Sequence, residues 1–245
     1  MHHRLFAGLL VVLLASAGIA VAAPAAAADT GGERQAGATT VAAQQPIVPT
    51  LQEAPESDAT VTRVRVFANG TAEWSVTIRF QLDTNESEQE FAAFRQEFEA
   101  NRSQFLDRFR ERMTGVVNGA GTALDREMSA ANFDTEIGVD NITRPQGFVS
   151  YRLHWRGFAA PDGNALVVGD AFQTGFFIQA GNTLIIESPN GYEPTDIAPS
   201  PDDSGTSAVQ WDGPESFGTE RPQVRFVPVN GSGNGTDTPG DGSSG

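Results

Sequence analysis

In the stretch Glu73-Trp74-Ser75-Val76-Thr77-Ile78-Arg79-Phe80-Gln81-Leu82, large apolar side chains occupy every second position. A period of two is the signature of a strand that buries one face. Trp74, Val76, Ile78, Phe80 and Leu82 then point one way, and Glu73, Ser75, Thr77, Arg79 and Gln81 the other. A second apolar-polar run at Val61 to Phe67 precedes it, and Ala68-Asn69-Gly70-Thr71 supplies the residues of a tight turn between the two. The expectation is an antiparallel hairpin, half buried.

Downstream of Glu86 the period changes. Phe91, Phe94, Phe98, Phe105, Phe109 and Met113 fall at helical spacings, Val116 and Val117 extend the stripe, and Glu, Arg and Gln fill the opposite side. Thr84 or Asn85 offers an N-cap, and acidic residues crowd the first turn, where the helix dipole favours them. The expectation is one long amphipathic helix, interrupted at Asn118-Gly119-Ala120-Gly121, with a shorter helix over Thr122 to Ala131. A one-sided aromatic stripe suits a helix that covers the apolar face of a sheet, so these phenylalanines are assigned to the core rather than to a ligand slot.

Strand patterns then return. Phe133 to Val139 is followed by a turn at Arg144-Pro145-Gln146-Gly147 and by the alternation Val149, Tyr151, Leu153, Trp155. Short runs follow at Ala165 to Val168, Phe176 to Gln179, Thr183 to Glu187, Ser207 to Trp211 and Gln223 to Val227. Strands, a helix, then many strands predict an α+β domain: an antiparallel sheet covered by one long amphipathic helix, with room for a second small sheet.

Composition bounds the partners. The 245 residues carry a net charge of −15, from 31 acidic residues against 16 basic ones, all of the latter Arg. A chain this acidic repels phosphate backbones, so nucleic acid is excluded as a partner. Lysine-free acidic composition also suits proteins working in extreme salt, where self-repulsion is screened. With no cysteine, disulfides, thiolate metal sites and cysteine nucleophiles are excluded together.

The ends carry their own signals. Met1 to Arg4 is short and basic, Leu5 to Val21 is apolar, and Ala22 to Ala28 is a run of small residues broken by Pro24. That is the layout of a secretory signal peptide over residues 1–28, with cleavage after Ala28; the alternative is an uncleaved anchor. Residues 29–58 read as a disordered lead-in, 59–228 as the folded domain, and 229–245, with no aromatic or charged-basic residue, as a disordered polar tail. Asn69, Asn85, Asn101, Asn141, Asn230 and Asn234 each begin an Asn-x-Ser/Thr acceptor pattern, which suits a glycosylated surface protein. Localisation is therefore expected to be extracytoplasmic, secreted or at the cell surface.

A search for chemistry returns little. His2 and His3 belong to the leader, and His154 sits on the polar side of its strand between Arg152 and Arg156, a position that suits a structural histidine. No Gly-x-Ser-x-Gly elbow, Ser-x-x-Lys, phosphate-binding loop or His-Glu-x-x-His is present. Chemistry by carboxylates alone, as in glycoside hydrolysis, stays open. Asp202-Asp203-Ser204-Gly205 and Asp237 to Asp241 offer oxygen ligands, but neither has the spaced loop of a strong calcium site. No catalytic, cofactor or metal residue is assigned, and no cofactor is expected. The run Val167 to Ile178 has glycines at 169 and 175 around a polar interlude. It reads as a turn or bulge between strands, or alternatively as a partner groove near Phe172, Phe176 and Phe177.

The hairpin Val61 to Val76, the run Val167-Val168-Gly169-Asp170-Ala171-Phe172 and the closing Arg221 to Pro228 resemble a haloarchaeal family of exported or membrane-associated proteins whose shared domain has no assigned function. The resemblance covers about Ala59 to Pro228. It implies that members often carry a transmembrane helix after the domain, which leaves membrane attachment open here through an uncleaved leader or a missing C-terminal anchor. Export signals joined to the lack of a catalytic kit predict a noncatalytic domain that binds an unidentified protein or envelope component. The alternative is a carboxylate-based envelope hydrolase acting on glycans.

Overall fold

The computed structural model describes residues 55, 57–141, 144–172, 177–217 and 222–229. Along the chain run β1 (Ala59–Val66), β2 (Ala72–Gln81), α1 (Asn85–Ala100), α2 (Arg102–Leu124), β3 (Ser129–Asp140), β4 (Gln146–Arg156), β5 (Ala160–Asp162), β6 (Ala165–Val168), β7 (Phe177–Ile178), β8 (Thr183–Glu187), β9 (Tyr192–Ala198), β10 (Asp203–Ser204), β11 (Ala208–Asp212), β12 (Glu215–Ser216) and β13 (Gln223–Pro228). The leader, nearly all of the lead-in and nearly all of the tail lie outside the described residues.

Seven strands form the main sheet in the order β10-β11-β8-β1-β2-β4-β3, four form a second in the order β5-β6-β13-β9, and β12 pairs with β7. The hairpin of β1 and β2 has Val64 opposite Trp74 and Arg65 opposite Glu73, so its apolar and polar sets face opposite sides. Ala72, Trp74, Val76, Ile78 and Phe80 are all buried while the residues between them are partly exposed. β4 continues the pattern, with Leu153 opposite Trp74 and Val149 opposite Ile78.

The inner face of the main sheet packs on two partners. Val64, Trp74, Leu153, Trp155, Leu184, Ile186 and Trp211 share a core with Leu166, Val168, Val224 and Phe226 of the second sheet and with Met113 and Val117 of α2. Phe91, Phe94, Phe98 and Phe105 of the helices pack with Ile78, Phe80, Ile137 and Val149. Each such ring, fully buried, contributes roughly 1.5–3 kcal/mol of transfer free energy. Gly147 lets α1 seat: a Cβ there would lie 2.5 Å from the ring of Phe91.

The expected α+β fold with one long amphipathic helix over an antiparallel sheet is corrected by the structure. The protein is mostly β-sheet, 47% strand against 26% helix, with two short helices and no long one covering the sheets. The break falls at Asn101, not at Asn118 to Gly121. Asn101 leaves helical backbone at φ −120° and ψ 21°, and its N–H donates to the carbonyls of Glu97 and Phe98 while its side-chain Nδ2 donates to Glu97 O at 3.0 Å. That satisfies the last carbonyls of α1 and ends it. α2 instead runs through the glycines to Leu124, because Val117 is buried and Val116, Ala120 and Leu124 pack on the core, which outweighs the helix penalty of glycine. Ser129 to Ala131, expected as helix, is strand.

Nor is the main sheet purely antiparallel: β1 pairs in parallel with β8, Val64 opposite Ile186. Strand β9 escaped the sequence reading because Pro194 argues against a ladder, but β9 is an edge strand, where a missing donor is tolerated. Among the described residues, no helix is long and apolar enough to cross a membrane.

Candidate functional site

The second face of the main sheet carries the polar residues that alternation pushes away from the core. Strand register arranges them in rows that cross the sheet. One row runs Glu187, Arg65, Glu73, His154 over β8, β1, β2 and β4. The next runs Ile185, Arg63, Ser75, Arg152, Asp134, and a third runs Thr183, Val61, Thr77, Ser150, Glu136.

Charges alternate along and between these rows. Arg65 Nε donates to Glu187 Oε2 at 2.9 Å, and Arg63 Nη1 donates to the other oxygen of the same carboxylate. Arg65 Nη1 lies 3.7 Å from Glu73 Oε1, whose other oxygen is 3.4 Å from His154 Nε2. Farther across, Arg152 Nη2 donates to Glu136 Oε2 at 2.8 Å and its Nη1 lies 3.7 Å from Asp134 Oδ2. Burial pushes the Glu187 carboxyl up, but the hydrogen bonds and charges of Arg65 and Arg63 outweigh it and hold the group below its ordinary value. The Arg65 guanidinium is raised above its own, chiefly through its hydrogen bond to Glu187.

Under these long side chains sits a short hydroxyl cluster. Thr77 Oγ1 donates to Ser150 Oγ at 3.2 Å, Ser75 Oγ is 3.3 Å from the same atom, and Ser150 is only 3% exposed although it belongs to the open face. The result is a sheet face of guanidinium donors and carboxylate acceptors with positions set by cross-strand pairing. It suits polar recognition of a surface with charges of both signs. His154, anchored by Glu73 and with Nδ1 3.2 Å from Asn132 Nδ2, serves in this lattice.

Three other groupings stand apart. A cleft of about 240 Å³ at the end of β2 is lined by Asp58, Asp83, Glu90, Ser87 and Gln81; Asp58 already accepts a hydrogen bond from the Gln81 backbone N–H. Arg126 grips Asp170 with both terminal nitrogens, at 2.6 and 3.0 Å, and also donates to Phe158 O at 3.0 Å, fastening the chain after α2 to the segment after β6. Trp74, Trp155, Phe158 and Phe172 stack with ring centroids 5.2–5.9 Å apart inside the core. Among the described residues, no group of three or more His, Asp or Glu is placed to hold a metal ion.

The residues singled out for a partner groove differ in burial where they are described. Phe172 is 4% exposed and packs on Trp74 and Phe158, whereas Phe177 lies at the surface opposite Ser216; Phe176 is outside the described residues. A 3-10 turn at Asp170–Phe172 follows β6. Of the acceptor asparagines, Asn69, Asn85 and Asn141 are exposed, Asn101 is partly buried in the helix break, and Asn230 and Asn234 are outside the described residues. Asp202 accepts from the Asp212 N–H at 2.8 Å, and Asp237 to Asp241 is not described.

Sequence reasoning missed the ionic rows. Arg63, Arg65, Glu73 and Arg152 were visible as polar positions of period two, which is the signal that could have flagged a shared face. Glu187, the acceptor that ties Arg63 and Arg65 together, lies 124 residues beyond Arg63 and reaches it through the parallel pairing of β1 with β8.

No curated protein matches the sequence. The profile of a family described as a domain of unknown function, DUF7345, matches residues 63–192, just over half of the chain.

Proposed function

The chain belongs to the DUF7345 family, and from that premise we propose that it is a noncatalytic extracytoplasmic domain, secreted or held at the cell surface, that binds a protein or envelope component through the open polar face of its main sheet. The leader-like N-terminus and the acceptor asparagines support export, and the acidic, lysine-free composition supports a haloarchaeal setting. Attachment to a membrane, through a retained leader or an anchor, belongs to the same reading.

One observation carries it: the face that shares no core is the face with its charges already arranged. Glu187 joins Arg63 and Arg65, Arg65 reaches Glu73 and Glu73 contacts His154, while Arg152 pairs separately with Glu136, so less side-chain entropy is lost when a partner docks. Charge pairs at contact distance keep their specificity in concentrated salt, where long-range attraction is screened. The competing reading, an envelope hydrolase acting on glycans, draws its support from the cleft of Asp58, Asp83 and Glu90.

The test is affinity capture from high-salt envelope extracts with three baits: the native protein, Arg65→Ala/Arg152→Ala on the open face, and Asp196→Ala on β9 of the second sheet. Binding through this face predicts one species recovered by the native and Asp196→Ala proteins and lost with the double variant. Recovery of bait alone, or of the same species by all three, counts against it. Turnover of an envelope glycan that disappears in Glu90→Gln would favour the hydrolase.

A further inference from the structure

The six acceptor patterns are equivalent as sequence but not as structure. At the β1–β2 turn, Asn69 and Ala68 are exposed at the tip, beyond the ends of both strands. Asn69 Oδ1 accepts a hydrogen bond from the backbone N–H of Thr71 at 3.0 Å, the third residue of its own acceptor pattern. This Asx-turn fixes the carboxamide by its oxygen. Its nitrogen, Nδ2, is left without a partner among the described residues.

Between them, Gly70 holds the turn on the protein. It adopts φ +77°, where a Cβ would come 2.8 Å from Ala159 O, and its carbonyl accepts the Ala159 N–H at 2.9 Å. Its own N–H donates to Phe67 O at 2.9 Å. That bond also bears on the other fate of an Asn-Gly pair: the nitrogen that would attack Asn69 Cγ to form a succinimide is engaged elsewhere.

The remaining patterns are committed differently. In Asn85-Glu86-Ser87 the serine hydroxyl donates to Thr84 O at 3.0 Å and accepts the Thr84 N–H, closing the capping box of α1. In Asn101-Arg102-Ser103 both ends of the carboxamide are used, Nδ2 on Glu97 O and Oδ1 by Gln104 Nε2 at 3.4 Å, in a partly buried helix break. For Asn141 the two residues that complete the pattern lie outside the described residues.

We infer that Asn69 carries an N-linked glycan on the folded domain and that Asn101 does not, an inference that rests on the extracytoplasmic reading above. The donor class is a lipid-phosphate-linked sugar. Asn69 Nδ2 forms a bond to the sugar C1 as the bond from C1 to the phosphate oxygen breaks. The lipid phosphate leaves with the electron pair, one Nδ2 proton is lost to a base of the transferase, and a secondary amide with one N–H remains. The Thr71 bond to Oδ1 is untouched by this, so the turn keeps its geometry with the glycan directed to solvent.

The full chain, isolated from the producing organism's envelope or medium, tests this by cleavage after arginine and mass spectrometry. The peptide Val66 to Arg79 contains Asn69 as its one acceptor asparagine, and Gln96 to Arg102 contains Asn101. The expected result is the first peptide mainly as a glycopeptide and the second bare. Thr71→Ala keeps the backbone N–H that holds Asn69 yet removes the acceptor pattern, and Asn69→Asp keeps the acceptor oxygen; both should leave Val66 to Arg79 unmodified. A glycan that persists in Asn69→Asp is linked elsewhere and overturns the assignment, as does a bare native peptide in protein that protease added to intact cells can reach. A bare peptide in protein shielded from that protease overturns the export reading as well, so the two failures are told apart.

Discussion

Phe91 of α1 lies against the bare Cα of Gly147 in β4, with no room between them for a methyl group. Replacing Gly147 by Ala must push the ring, or the whole first helix, off the sheet. Overpacking of a filled core typically costs 1–3 kcal/mol, about what Gly147→Ala should remove from the stability measured by chemical denaturation. Phe91→Ala should cost about 3–5 kcal/mol, the usual range for emptying an aromatic site. An unchanged midpoint for both variants would mean that α1 is not seated where it is described.

Glu187 gives the open face a pH dependence of known sign. A carboxyl with its folded pKa below its unfolded value stabilises the fold above the unfolded value, 4.5 here, and loses that contribution as pH falls through the folded one. Stability should therefore decline on the acid side of pH 4.5. In Glu187→Gln this share of the acid slope should vanish, with a loss of roughly 1 kcal/mol at neutral pH, where its two arginines lose the negative charge and one of them its acceptor oxygen. Denaturation midpoints across an acid series read both effects.

Tyr151 governs the alkaline side. It lies among Phe98 and Phe109 at the helix–sheet contact, and burial pushes its hydroxyl from 10.0 up to about 12, with Arg108 opposing. Below pH 10 the phenol is neutral in both states and adds no slope. Above it the unfolded chain ionises first, so stability falls until about pH 12, by roughly 2 kcal/mol. Tyr151→Phe should flatten that decline while changing neutral stability little, as an alkaline denaturation series would show.

The fork between Arg126 and Asp170 is a separate fastening. Both side chains are about three-quarters buried, at 21% and 26% exposure, so removing one leaves its partner's charge poorly solvated. Asp170→Asn should cost about 1–3 kcal/mol. In a double-mutant cycle with Arg126→Met the two losses should add to more than the double variant shows. Strict additivity would mean the contact carries no coupling.

How much of this was readable beforehand follows from distance along the chain. The alternation at Glu73 to Leu82 and Val149 to Trp155 predicts two strands with their correct buried faces, because a period of two needs only neighbours. The aromatic stripe likewise marks which helical residues are buried, Phe91, Phe94, Phe98 and Phe105 among them. The end of α1 was not readable, because a mid-pattern asparagine becomes a stop only when its side chain turns back to Glu97 O. Pairing of β1 with β8, and with it the ionic rows, depends on two segments that carry no mutual mark in the sequence. Of the rings named for the alternative of a partner groove, Phe172 is buried against Trp74 and Phe177 lies at the surface, since an apolar run does not say which of its rings the core will take.

Strand order also sets a timetable for folding. The first strand lies in the interior of its sheet, between β2 and β8, and the last, β13, lies in the interior of the other, between β6 and β9. Neither sheet can close until nearly the whole chain has been made, because each waits for a strand far along it, and such non-local closure is slow. The last strand also supplies Val224 and Phe226 to the core shared by the two sheets, so that core is complete only once the C-terminal end of the domain is in place.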